Sequence, residues 1–504
     1  MQNTLEEPDP TAREHQEHRW SKRLILWASV LILANVLADT AMGSPMLVIN
    51  QLLAHFDTDQ IAWLSQSGLL FGAIWSPLLA KTSDLFGQRR VLVITLLTAC
   101  AGALVCFAAP SLWIFLIGRF LQGTALGSIF ITVALVRHLC APRVAMPVIG
   151  LVTAGASIAG IMEPLVMQPI VDAFGYRSVF VAAGLLAVVA AISVRVAIPE
   201  TPVRSTGRID WGGALLLGGG MGAVLAYISL GADSGWLSGG MLVLLVAGAA
   251  SLAGWAVLAL RVADPIVDIR ALSRPILLTL LALVLAAGSF RGMLLLTSTI
   301  SGVPADWGLG YGLGDGEGTA VLLSMAQLGI FVGGTVAGWA AGRFGTVKPF
   351  LAAIVVGTAA TFLMLAGASM FPLALVCGAT VGMAAGAIST SGYNLATDLA
   401  PPERQGTVSG LVSVMFALGS VLFSFAGGEI LKATRIPDGP VVDGAQVSSA
   451  TGVYLYILMA GVVFALAIVP AVRLMRRRPA APTAPEAPAV PGAPQRPEAP
   501  AADG

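Results

Sequence analysis

Four ionisable residues stand inside stretches of this chain that are otherwise apolar: Asp39, Arg119, Glu163 and Arg291. A charge in a hydrocarbon-like environment is expensive, so such residues normally face a protein cavity, pair with one another or mark an ion or proton path. Asp39 follows Asn35 by four positions, which places both on one helical face. A carboxyl whose ionisation is disfavoured by burial can load and release a proton, and that is the chemistry Asp39 and Glu163 offer. Two other readings stay open for Asp39, solvation near a helix end or capping of the break before Pro45. Glu163 has three: proton carrier, cation ligand, or neutral hydrogen-bonded core acid. Arg119 shares a face with Gln122 and Gly123, so it either points into a cavity or snorkels to an interface. In the second half of the chain, Arg291 and Asn394 are the polar groups best placed to face a central cavity, with Arg291 alternatively paired to an acid in the same site. Gln168 is the corresponding candidate beyond Glu163.

The elements that must position these groups are long and apolar. Fourteen stretches, each long enough to span a bilayer as a helix, begin near Leu24, Ile61, Val91, Trp113, Ala145, Ser178, Gly212, Gly239, Pro275, Thr319, Lys348, Phe371, Thr407 and Thr451. In lipid every backbone donor and acceptor must be satisfied internally, and runs of about 20 apolar residues do that as helices, not as barrel strands. The expected fold class is therefore all-α and polytopic. The weakest breaks are Ala108 to Leu112 and Ala368 to Pro372; losing both would leave twelve spans. Lys and Arg are retained on the cytoplasmic side during insertion. With the first residue inside, nearly all of them collect on that side, and the opposite side keeps only Arg177, Lys432 and Arg435. That asymmetry predicts an even number of spans, favours fourteen, and puts both termini in the cytoplasm.

Bulk composition excludes other classes. Apolar residues make up 56% and charged residues 11%, too little polar surface to cover a soluble particle of 504 residues. The net charge of +1 gives no field for nucleic acid, so no nucleic-acid partner is expected. Cys100, Cys106, Cys140 and Cys377 stand singly without metal-ligand spacing, and read as small core residues. Neither a metal nor a cofactor is expected. No phosphate-cradling loop or nucleophile triad is visible, which argues against an enzyme. Asp306, Asp315 and Glu317 sit among alternating glycines, lack EF-hand spacing, and read as a flexible solvated turn. Residues 1–23 read as a polar tail, and the Pro- and Ala-rich end from Pro479 as a disordered one. A preference for Arg over Lys with abundant Ala and Gly suits a GC-rich bacterial genome, and so a bacterial plasma membrane.

Three local patterns carry more. Between the second and third spans runs Ala80-Lys81-Thr82-Ser83-Asp84-Leu85-Phe86-Gly87-Gln88-Arg89-Arg90-Val91, in which Gly87 permits a sharp reversal and Asp84 can pair with Arg89 or Arg90. This segment resembles the cytoplasmic signature of the major facilitator superfamily, with Ala80 and Gln88 as departures. The resemblance implies a latch, formed by Asp84, Gly87, Arg89 and Arg90, that holds the outward-facing state. Gly118-Arg119-Phe120-Leu121-Gln122-Gly123 is similar to the superfamily's fourth-helix motif, in which the Arg is linked to proton coupling. Gly150, Gly155, Ala159, Gly160 and Pro164 resemble its fifth-helix antiporter motif, but Glu163 stands where that motif has Gly and Met167-Gln168 where it has Gly-Gly. Pro164 lacks a donor and predicts a local bend.

Gly338-Trp339-Ala340-Ala341-Gly342-Arg343-Phe344-Gly345, followed by Lys348, echoes the first signature, as expected of a transporter built from two six-helix halves. Two extra spans lie between the halves. Their flanks, Arg208-Ile209-Asp210-Trp211-Gly212 and Asp264-Pro265-Ile266-Val267-Asp268, and Pro401 to Gly406 resemble the fourteen-spanner drug:proton antiporter family. The expected organisation is a tail to residue 23, a first bundle over 24–200, a linker with two inserted helices over 201–274, a second bundle over 275–478 and a tail over 479–504. The resemblance implies a monomeric secondary active transporter exporting hydrophobic or amphipathic small molecules, including antibiotics, in exchange for protons. Asp39 and Glu163 would accept the proton, with Arg119 tuning them. Alternatives are an importer or uniporter, or a non-cycling receptor.

Overall fold

The computed structural model describes residues 22–476 apart from 141, 201–209, 263–264, 266–268, 304–308, 314–316, 400–404, 437–440, 443–444 and 447. Residues 1–21 and 477–504, Asp264, Asp268, Asp306, Gly308, Gly314, Asp315, Gly316 and Pro401 to Arg404 lie outside the described residues. Among the described residues the regular secondary structure is helical apart from a two-residue antiparallel ladder, Val441–Val442 with Ala445–Gln446.

The first half comprises α1 (Lys22–Leu47), a short α2 (Ile49–Phe56), α3 (Ile61–Phe86), α4 (Gln88–Ala108), α5 (Leu112–Gln122), a 3₁₀ turn over Gly123–Leu126, α6 (Gly127–Leu139), α7 (Pro142–Phe174) and α8 (Ser178–Ala197). Next come α9 (Trp211–Ser234) and α10 (Gly239–Arg261). The second half contains α11 (Arg274–Ile300), α12 (Glu317–Phe344), α13 (Val347–Gly367), α14 (Phe371–Asp398), α15 (Gln405–Ala433), α16 (Ala450–Leu466) and α17 (Ile468–Met475). Both weak breaks are real: α4 ends at Ala108 before α5 opens at Leu112, and α13 ends at Gly367 before α14 opens at Phe371. The fourth span is one path made of α5, the 3₁₀ turn and α6. Helix α7 runs uninterrupted through Pro164.

Among the described residues, thirteen helical segments are long and apolar enough to cross a membrane. The remaining expected span, α3, is a 26-residue helix seated in the bundle. Its Ser65-Gln66-Ser67 run lowers its hydropathy yet is buried. That inversion extends through the molecule. Arg119 and Ser67 are fully buried, whereas Leu215 is 74% and Val196 81% exposed, so the apolar surface faces outward and lipid is the solvent.

Indole and hydroxyl donors tie neighbouring helices. Trp27 donates to Ala197 O at 2.9 Å, Trp75 to Phe120 O at 2.9 Å, and Ser289 to Ala460 O at 2.9 Å, joining α1 to α8, α3 to α5 and α11 to α16. The halves meet chiefly where α3 packs on α15 and α7 on α12. Helix α9 leans on α15 and α3, while α10 packs on α9 and keeps most of its surface outward. Asp210 caps α9 by accepting from Gly213 N at 2.7 Å.

Candidate translocation site

Helix α1 presents the first side of the site. Asn35 is buried and accepts from Thr132 of α6 at 3.1 Å, so it joins two helices. One turn on, Asp39 lies deep in the bundle and is half-buried. Helix α7 supplies the second side. A Cβ on Gly160 would lie 3.8 Å from Asp39 Oδ2 and 2.8 Å from Gln327 Nε2, so this glycine lets α1, α7 and α12 converge on one spot. Gly155 brings α7 onto Ile32 of α1 in the same way.

Glu163 reaches back to α1. Its Oε1 accepts from Ser44 Oγ at 2.7 Å, and its Oε2 lies 3.7 Å from the place a Cβ would take on Gly43. Ser44 Oγ also lies 2.8 Å from Thr40 O. A hydroxyl has one proton and two lone pairs. With Glu163 ionised, Ser44 can donate to the carboxylate; with Glu163 protonated, the carboxyl can donate to Ser44 while Ser44 donates to Thr40 O. The same heavy-atom positions therefore accommodate both protonation states.

Arg119 is fully enclosed and does not snorkel. Its Nη1 donates to Ala41 O of α1 at 2.6 Å and to Gln122 Oε1 at 2.7 Å. The guanidinium lies flat against Gly68 of α3, where a Cβ would fall 2.3 Å from Nη2. Gly123 meets the same helix, since its Cβ would fall 2.7 Å from Gly72 N. Arg119 thus braces α1, α3 and α5, and the 3₁₀ turn that follows it marks where the helix yields to this packing. The charge acting on Asp39 is a different one, Arg291 of α11, and Asp39 in turn acts on Glu163. The enclosed head group of Arg119 itself faces a backbone carbonyl and an amide.

The remaining candidates scatter. Gln168 is buried and donates to Asp172 at 2.8 Å, further along α7 toward its end. Asn394 is exposed, one turn before the end of α14. Arg291 Nε is buried without a hydrogen-bond partner. Gln327 and Gly68, which sequence reasoning missed, complete the centre.

The turn between α3 and α4 departs from expectation. Gly87 has φ of +100°, a left-handed conformation that favours glycine, and Gly345 repeats it at +80° in the matching turn of the second half. Arg89 and Arg90 do not pair with Asp84. Each places its Nε 3.4 Å from Glu200 Oε2, beyond the end of α8, and Glu200 Oε1 accepts from Arg89 N at 3.2 Å. A Cβ on Gly87 would lie 2.7 Å from Glu200 Oε1, so glycine also makes room for the carboxylate. The reason is electrostatic as well as steric: a carboxylate at the first turn of α4 meets free backbone N–H groups and two guanidinia together. Asp84 is exposed and sits in the field of His138 and Lys81.

At the opposite end of α3 the two halves are pinned. Asp59, just before α3, lies 3.4 Å from Lys432 Nζ and 3.7 Å from Arg435 Nη1, at and beyond the end of α15. Trp63 meets Phe425 edge-on at 4.8 Å, and a Cβ on Gly428 would lie 3.1 Å from Ile61. A cavity of about 40 Å³ lies here, lined by Asn50, Ile61, Lys432 and Arg435 among others, with room for a few waters.

The family model for the Major Facilitator Superfamily matches residues 31–320 and 292–501. The chain belongs to this superfamily. Among curated relatives, it is 29% identical over 402 residues to the uridine/deoxyuridine transporter of Lactococcus lactis subsp. cremoris, covering 76% of this chain and 82% of that one. It is 26% identical over 387 residues to the multidrug resistance protein Stp of Mycobacterium tuberculosis, covering 74% and 69%. Its fold matches the POT family transporter PepTSo with a TM-score of 0.64 at 15% identity, over 91% of this chain and 99% of that one. As a superfamily member it is a multi-pass membrane transporter of small molecules and not an enzyme.

Proposed function

We propose that this superfamily member exports small molecules across a bacterial plasma membrane in exchange for protons, by alternating access, with both termini cytoplasmic. The observation that carries the reading is the convergence of Asp39 and Glu163 at the contact between the halves, with Glu163 and Ser44 in positions that serve a protonated or an ionised carboxyl equally. An acid that is hydrogen-bonded in both states can exchange its proton without a large structural penalty. The likeness to a multidrug resistance protein supports export, and the positive-inside count supports the orientation. In that orientation the Asp59 to Lys432 and Arg435 contacts close the outer face, leaving the site to communicate with the cytoplasm. Asp84 is then free to engage the other half when the inner face closes.

A second reading, a proton-coupled carrier of polar solutes, is favoured by the likeness to a transporter named for uridine and deoxyuridine. One experiment tests both. Protein reconstituted in liposomes is given labelled uridine or chloramphenicol, with and without an imposed pH gradient. We expect gradient-driven movement of at least one probe by the unmodified protein. Glu163→Gln and Asp39→Asn should each retain gradient-free exchange and lose the driven component. Full proton-driven transport by Glu163→Gln removes this carboxyl from coupling.

A further inference from the structure

We infer that Pro45 is a positioning residue of the proton site: by withholding a backbone donor from Ala41 O it leaves that carbonyl to Arg119, which then holds the turn of α1 that presents Ser44 to Glu163. The inference deepens the transport reading above and rests on it only for the role of Glu163.

Helix α1 runs unbroken from Lys22 to Leu47 with Pro45 inside it. In an α-helix the N–H of position 45 would bond the carbonyl of position 41. Proline has no N–H, and its ring crowds that carbonyl and tilts it off the helix axis. Ala41 and Pro45 are both buried, so bulk water does not reach the vacated acceptor. A buried carbonyl without a partner is costly. Arg119 Nη1 supplies the partner at 2.6 Å, and its second N–H goes to Gln122 Oε1 at 2.7 Å. Both protons of Nη1 are thereby used. Ala41 O is where α5 grips α1.

Helix α7 grips the same turn from another side. Ser44, directly before Pro45, places its Oγ 2.7 Å from Glu163 Oε1 and 2.8 Å from Thr40 O, and Glu163 Oε2 comes close to Gly43. Glu163 also directly precedes a proline, so the Ser44 to Glu163 hydrogen bond joins two helix turns that each lack one backbone bond. Such turns bend more readily than intact ones. A bend of α1 at this point changes the distance from Ser44 to Glu163, and the bond from Arg119 to Ala41 O fixes that bend. Arg119 therefore reaches the carboxyl through the backbone of α1. A proline that merely ended α1 would leave Arg119 and Glu163 independent of it.

The test uses detergent-purified full-length protein and needs no transport, so that the inference and the transport reading fail separately. The first measurement is a double-mutant cycle on the melting temperature. Arg119→Met leaves two acceptors unpartnered, Ala41 O and Gln122 Oε1. In a Pro45→Ala background the new N–H at position 45 serves Ala41 O, so the drop caused by Arg119→Met should be about half as large. In a Pro77→Ala background the drop should be full, because Arg119 does not bond the carbonyl freed by the proline of α3. Should Arg119→Met fold in neither background, Gly68→Ala, which displaces the same head group, takes its place in the cycle. Folding of Arg119→Met only in the Pro45→Ala background supports the inference. The second measurement is the infrared carbonyl band of protonated Glu163, identified as the band that Glu163→Gln removes. In Pro45→Ala it should move to higher frequency as the Ser44 hydrogen bond lengthens. If Glu163→Gln removes no band at any pH, the proton-carrier reading falls and the cycle alone decides the inference. An equal drop in the unmodified and Pro45→Ala backgrounds, or a band that stays in place in Pro45→Ala, overturns it.

Discussion

Gly68→Ala is the sharpest perturbation this structure offers, because one methyl group would strike the centre of the Arg119 network. A Cβ at Gly68 would fall 2.3 Å from Arg119 Nη2 and 2.6 Å from Cζ, well inside the 3.4 Å at which ordinary contact begins. The guanidinium would have to withdraw by about 1 Å, and it has nowhere to go. It is fully buried, and its Nη1 is fixed by short bonds of 2.6 Å to Ala41 O and 2.7 Å to Gln122. Lengthening both by that amount breaks them. A hydrogen bond to a charged group contributes about 1.5–3 kcal/mol, and overpacking costs about 1–3 kcal/mol. With partial relaxation the substitution should cost about 3–4 kcal/mol in total. Thermal unfolding of the purified protein should show a melting temperature several degrees lower, and transport should fall with it. Gly219→Ala in α9 is the control, since its Cβ would meet nothing within 4 Å and alanine is the better helix former. A Gly68→Ala protein with unchanged melting temperature and unchanged transport would refute the seating of Arg119 on α3.

Two other outcomes follow from the ends of α3. Glu200→Gln should loosen the turn at Gly87, by about 1 kcal/mol given that Arg89 is mostly covered and Arg90 largely solvated, and speed amide exchange of Arg89; Asp84→Asn should leave that exchange unchanged, and the reverse pattern would restore Asp84 as the partner. Asp59→Asn should broaden the distance between labels on the outer ends of α3 and α15 toward longer values, with high salt producing part of the same shift in the unmodified protein; an unaltered distribution would mean that apolar packing alone holds this end.

The helices were legible because hydropathy and length are one-dimensional signals. The start expected at Ile61 and that expected at Ser178 are where α3 and α8 begin, since each follows a polar break that water must solvate. Even the doubtful break at Ala108 to Leu112 has a local cause, the Pro110-Ser111 pair that cannot extend the helix. Asp39 and Glu163 were legible for the same reason, as charges where charge is costly. Partners were not. Asp84 and Arg89 are neighbours in sequence, so proximity suggested a pair, but the left-handed turn at Gly87 lies between them and Glu200, more than a hundred positions later, arrives where Arg89 and Arg90 point.

The glycines show most clearly where sequence reasoning stopped. Gly68, Gly123 and Gly160 look alike in a chain with 58 glycines, and small residues at helix contacts are common in membranes. Their roles differ because of what lies opposite: a guanidinium at Gly68, a backbone at Gly123, and an amide with a carboxylate at Gly160. A glycine seam against backbone serves only close packing. A glycine against a charged or amide side chain holds space for a group that must not be pushed aside. Gln327 is marked by the space Gly160 leaves it, and that pairing across the two halves exists only once α7 and α12 have packed.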